Sequence, residues 1–175
     1  MAMLPLPVAL AFGRGTGWLF CALILRNRKR VMENLRQCLP EKLEAERRAI
    51  MWRLFANLGM NMADSLRGFG GKLEEVLGRI DVENESASAA SFEKGRGIAA
   101  LTAHLGNWEM LAVWTARHYP ITIVTRKIKN GAVQQFCREA RAGTNVKLLA
   151  AHNSCRACLR VLKTTRCWDS CSIKT

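Results

Sequence analysis

The stretch "TAHLGNWEM", residues 102–110, sets a histidine and a glutamate five places apart with a glycine between them. At about 100° per residue, five steps on a continuous helix leave His104 and Glu109 roughly 140° apart, on different faces. For the two to act together the chain has to turn between them. The flanking sequence supplies that turn: the apolar run "GIAALTA" (97–103) reads as a strand, Gly106 permits a sharp bend, and Asn107 is a good N-cap for the helical pattern "WEMLAVWTARH". Glu109 then falls in the first helical turn, where the macrodipole favours a carboxylate and where it can point back at the imidazole. A strand–turn–helix corner carrying a His–carboxylate pair is the tightest constraint in the chain.

The same texture repeats downstream. "ITIVTRK" (121–127) and "VKLL" (146–149) are short apolar runs, and they alternate with helical patterns at 107–118 and 131–142. Strands alternating with helices predict a parallel sheet with flanking helices, whose ligand sites lie at the strand carboxyl ends. Upstream, residues 41–67 place Ile50, Met51, Leu54, Phe55, Leu58, Met62 and Leu66 at three- and four-residue steps opposite Arg47, Arg48, Asn57 and Asp64. That is an amphipathic helix packing one face, starting after Pro40. "GFGGK" (68–72) breaks it, a short helix follows around "LEEVLGRI", and residues 81–97 read as a short strand and a small-residue helix ending in glycines.

The N-terminus has apolar blocks at 3–12 and 18–25, interrupted by Gly13, Arg14, Gly15 and Gly17 and closed by Arg26, Arg28, Lys29 and Arg30. Neither block reaches the ~18–20 apolar residues of a spanning helix. The charge comes after the apolar stretch, the reverse of a signal peptide. An interfacial segment or the stub of an anchor fits, with the basic cluster at an anionic cytosolic leaflet; a buried hairpin of helices followed by a solvated charge run is the alternative. The whole chain carries 27 Lys+Arg against 14 Asp+Glu, a formal charge of +13, which points to phosphates, anionic lipid headgroups or an acidic protein without choosing among them. Seven scattered cysteines suit reduced cytosolic thiols. Cys155 and Cys158 have no second pair to complete a four-ligand zinc site, so no metal is expected.

A histidine held by a carboxylate keeps one tautomer and leaves its other ring nitrogen free to take a proton from an attacking hydroxyl. No G-x-S-x-G elbow and no H-E-x-x-H pattern is present, so the hydroxyl would be a substrate's and the chemistry would not use zinc. The same pair also suits a structural His104 that braces the turn.

"TAHLGNWEM" resembles the H-x4-[DE] acyltransferase motif in the form found in the lipid A biosynthesis lauroyl/myristoyl acyltransferase family. "RKRVMENLRQCLPE" (28–41), "GRG" (95–97) and "VTRKIKN" (124–130) resemble family landmarks in the same order, so the likeness covers roughly residues 4–163. It implies transfer of a fatty acyl chain from an acyl carrier protein thioester to a hydroxyl of a lipid A precursor or related glycolipid, at the cytoplasmic face of the bacterial inner membrane. On that likeness His104 is the general base and Glu109 its orienting partner. Arg126, which matches a family arginine, would stabilise the oxyanion or hold a substrate phosphate. Asn107 completes the substrate-binding corner, with Trp108 shaping it. The loop "RKIKNG" departs from the family's proline-containing version. The implied partners are acyl carrier protein, the glycolipid and the cytosolic leaflet, with no nucleic acid and no cofactor beyond the acyl donor.

The tail "TTRCWDSCSIKT" has no apolar periodicity, where the resemblance implies a strand ending in Asp-Gln. Joining each codon's third base to the next two, "RCWDSCSIKT" permits VLGFMLDQN in a second frame, the glycine being forced by Trp168. The expectation is a frame change near Thr164 or Thr165, with Cys167 and Cys171 as by-products, a truncated sheet with an exposed edge, and reduced or absent activity in this chain. The expected fold class is α/β, glycerolipid-acyltransferase-like. Its parts are a membrane-associated anchor segment (1–30), a helical region (31–94), a partial α/β acyltransferase core with a mostly parallel sheet (95–163) and an aberrant tail (164–175). A basic membrane- or nucleic-acid-binding helical protein is the rival reading.

Overall fold

The computed structural model describes residues 3–94, 98–126, 131, 135, 144–151, 155–163 and 167–170. Most of the expected helix at 131–142 and of the loop 127–131 lies outside them. The chain forms two compact units, Met1–Leu73 and Glu74–Thr175.

The first unit is helical: α1 (Leu6–Leu23), α2 (Leu25–Cys38) and α3 (Glu44–Arg67), the last running into a π-helical segment, Gly68–Lys72. The glycines that divide the N-terminal apolar blocks do not divide the helix. α1 is continuous through them and packs along α3. Gly13 and Gly17 on α1 meet Gly59 and Ala56 on α3, and a Cβ on Gly13 would stand 2.6 Å from the Gly59 carbonyl oxygen. Small residues four apart on a helix let two backbones approach this closely, which is why the glycines are compatible with a helix here. Among the described residues α1 is the one helix long and apolar enough to cross a membrane.

That seam also rotates the buried face of α3 away from the expected one. Met51, Phe55, Ala56 and Ala63 are buried, while Leu54, Leu58 and Met62 (61%) face outward beside the outward Phe12, Trp18, Leu19 and Leu23 of α1. The physical reason is contact distance: the close crossing selects small side chains and displaces the bulky ones. α3 also starts later than Pro40 suggests, because the Glu46 carboxylate accepts a hydrogen bond from the Leu43 backbone N–H at 2.8 Å and fixes the first turn there. Met32, Met51, Phe55 and Cys21 form a small apolar core joining the three helices, and buried Arg67 donates to the Leu4 carbonyl. The break expected at "GFGGK" falls at Gly71, whose φ of 108° kinks the chain within the Gly68–Lys72 segment.

The second unit contains α4 (Leu73–Leu77) from Glu74 on, α5 (Glu85–Glu93), β1 (Ala99–Leu101), α6 (Trp108–His118), β2 (Ile121–Thr125), β3 (Lys147–Ala150), α7 (Cys155–Lys163) and β4 (Cys167–Ser170). No strand forms at 81–84; a turn with Asn84 in the left-handed region (φ 56°) leads directly into α5. The sheet is parallel throughout, in the order β1-β4-β2-β3. Met110, Val113 and Ala116 of α6 and Ile121, Thr122 and Val124 of β2 are buried. A strand buried on neighbouring positions suits a parallel sheet covered on its faces. On α7, Cys158 is buried and Cys155 exposed, both as free thiols.

Candidate active site

The corner between β1 and α6 is built as the residues dictate. β1 ends at Leu101, the Leu105 backbone N–H donates to the Ala103 carbonyl at 2.8 Å, and Gly106 takes φ +57°, the left-handed value that a side chain disfavours. Asn107 then caps α6, its side-chain oxygen accepting from the Met110 N–H at 3.4 Å. His104 lies in the turn and is exposed, while Glu109 sits half-buried in the first turn of α6. The His104 ring rests against Trp108, centroids 4.9 Å apart and planes inclined at 50°. Trp108 thus limits where the imidazole can swing, a role suggested by its place beside the cap.

Arg126 follows β2 directly and is exposed. Its relation to His104 follows from register. Leu101 of β1 and Val124 of β2 both pair with Ser170 of β4, so the two strands end level on either side of one intervening strand. With neighbouring strands about 4.8 Å apart, the two strand ends are roughly 10 Å apart. His104 comes three residues beyond Leu101 and Arg126 two beyond Val124, so both stand at the carboxyl edge of the sheet. This is the edge at which open α/β sheets hold ligands.

Along α6 lies an apolar recess of about 460 Å³, walled by Phe92 of α5, Ala100 of β1 and Leu111, Trp114 and Tyr119 of or next to α6. Leu111, Trp114 and Thr115 are one helical stripe of α6 and Met110, Val113 and Ala116 another, so one helix serves both recess and core. The sequence reading missed this recess, although two apolar stripes on one short helix were a visible signal for it. A different recess, of about 590 Å³, opens at the opposite edge between Tyr119–Ile121 and Asn145–Lys147, away from His104. In the last turn of α6, Arg117 forms a two-pronged ion pair with Glu74, at 2.5 and 2.6 Å, which holds the Glu74 carboxyl below the usual carboxylate range. Among the described residues no three metal-ligating side chains cluster.

An 80-residue stretch is 30% identical to phosphatidylinositol mannoside acyltransferase of Mycolicibacterium smegmatis, covering 45% of this chain. That match spans about a quarter of the relative's length. Residues 1–168 match the family described as bacterial lipid A biosynthesis acyltransferase, and the chain therefore belongs to that acyltransferase family.

Proposed function

We propose that this corner transfers a fatty acyl chain from an acyl carrier protein thioester to a hydroxyl of a lipid A precursor or related glycolipid. The observation that carries the reading is the placement of His104 and Arg126 at one sheet edge, a single strand apart, with Glu109 in the adjoining helical turn. His104 takes the proton from the acceptor hydroxyl as its oxygen attacks the thioester carbonyl. The new C–O bond forms, the C–S bond breaks, and the carrier thiolate leaves with the proton returned by the imidazolium. Glu109 orients the ring, and Arg126 faces the oxyanion or a substrate phosphate. Asn107 holds the turn, and the recess along α6 takes part of the acyl chain.

The acceptor's phosphates and the acidic carrier protein both suit a chain of charge +13. The large outward apolar side chains of α1 suit lipid, and the reading places the protein at the cytoplasmic face of the bacterial inner membrane with α1 as its anchor. The M. smegmatis relative is named for acyl transfer to a mannoside, which supports a sugar hydroxyl as acceptor.

The test is acyl transfer from labelled acyl carrier protein to a panel of glycolipids. It is run on the full 175-residue chain in detergent. His104→Ala and Glu109→Ala should each cost ~10²–10⁴ in rate while leaving the circular dichroism spectrum unchanged. Normal turnover by either variant refutes the mechanism.

A further inference from the structure

Within the first unit, a cleft of about 810 Å³ opens between α2 and α3. On α2 its wall is formed by Leu25, Arg28, Lys29, Met32, Glu33 and Arg36, the three- and four-residue spacing of one helical face. On α3 it is formed by Glu44, Arg48, Met51 and Trp52, again one face. Four cations thus converge with two carboxylates on a floor of buried Met32 and Met51. The carboxylates serve one of these four: Arg36 is bound by Glu44 at 2.5 Å and lies in the field of Glu33, while Glu44 also holds Arg47, outside the cleft lining, at 3.3 Å. Arg28, Lys29 and Arg48 make no ion pair among the described residues. Three cations without an ion pair around a concave, apolar-floored cleft form a receptor for an anion with several oxygens.

The surroundings decide what carries that anion. Leu25 is 61% exposed at the rim, Trp52 is exposed beside it, and α1 delivers its outward Leu23 one residue before the junction with α2. A soluble anion has no use for apolar side chains in water, whereas an anionic glycerophospholipid joins a phosphate to acyl chains over the same short distance. We propose that the α2–α3 cleft is a binding site for the phosphate headgroup of an anionic glycerophospholipid, with the chains passing over Leu23, Leu25 and Trp52. The site is independent of the acyl-transfer reading and makes no use of His104.

The full chain, in a non-ionic detergent, is titrated with dihexanoyl phosphatidylglycerol, dihexanoyl phosphatidylcholine and glycerol phosphate, with tryptophan fluorescence as the readout. Phosphatidylglycerol should bind saturably and at least tenfold more tightly than either of the others. Equal binding of the choline lipid removes the charge recognition and overturns the proposal. Glycerol phosphate binding as tightly as the lipid makes the cleft a soluble-phosphate site, which overturns it too. The double change Arg28→Ala with Arg48→Ala should weaken phosphatidylglycerol at least tenfold more than Arg26→Ala with Arg30→Ala, which removes equal charge from positions of α2 outside the cleft face. Equal losses in the two pairs mean unspecific attraction and overturn the assignment. The ligand comparison on the native chain stands even if a variant fails to fold.

Discussion

Gly13 and Gly59 face each other across the α1–α3 crossing, each against the other's carbonyl oxygen, so that neither position has room for a side chain. Gly15, two residues from Gly13 on the same helix, has nothing within 4 Å of its would-be Cβ. Gly13→Leu should therefore destabilise the helical unit by about 1–3 kcal/mol through overpacking. Gly15→Ala should stabilise it by about 1 kcal/mol through helix propensity. Thermal unfolding in detergent, followed by circular dichroism at 222 nm, separates them: the first variant melts below the native protein and the second above it.

Asn107 gives α6 its first turn. Asn107→Ala should cost about 1 kcal/mol by removing the acceptor for the Met110 N–H, and Asn107→Asp should cost little, since Asp caps equally well. Urea denaturation read at α6 by amide exchange is the measurement. Equal losses in the two variants would mean that the cap is not what holds the turn.

The recess along α6 has Ala100 in its wall. On the acyl-transfer reading, Ala100→Leu takes volume from the end of the acyl chain and should shift the preferred donor toward shorter chains, while His104-dependent turnover with the shortest donors persists. Competition between carrier proteins loaded with different chain lengths reads this directly. An unchanged preference would mean that the chain lies elsewhere.

The Glu74–Arg117 pair makes acid stability testable. Glu74 titrates lower in the folded chain than in the unfolded one, first because of its hydrogen bond to Arg117 and then because of that side chain's charge. Its contribution is therefore fully present above the unfolded carboxylate value near pH 4 and is lost as the pH falls through the lower folded value. Both side chains are well exposed, so the effect is small. The stability difference between the native protein and Glu74→Gln should be measurable at pH 7 and vanish below that range. A difference that persists at pH 2 would assign it to packing instead.

The corner was legible because its parts are local: a strand pattern, Gly106, a capping Asn107 and an acid in the first turn need no distant partner. The parallel sheet followed from the alternation of patterns in the same way, with β1, β2 and β3 inside or within a residue of the expected runs. Two things were not local. The glycines of α1 look like helix breakers until α3 is set against them, since only the partner's Gly59 shows what their missing side chains are for. The same close approach turned α3 and exposed Leu54, Leu58 and Met62, which periodicity alone assigns to the core. The strand at Cys167–Ser170 has no apolar period of its own, and what identifies it is its pairing with β1 on one side and β2 on the other.

That pairing has a mechanical corollary. β1 and β2 share no ladder; each is referenced to the same few residues of β4, as two rulers are zeroed on one mark. Slipping β4 by two residues against either neighbour would offset the His104 turn from Arg126 by about 7 Å along the strand direction. The alignment of the two is inherited from a segment that contributes neither, so a change there can separate them while leaving each half intact.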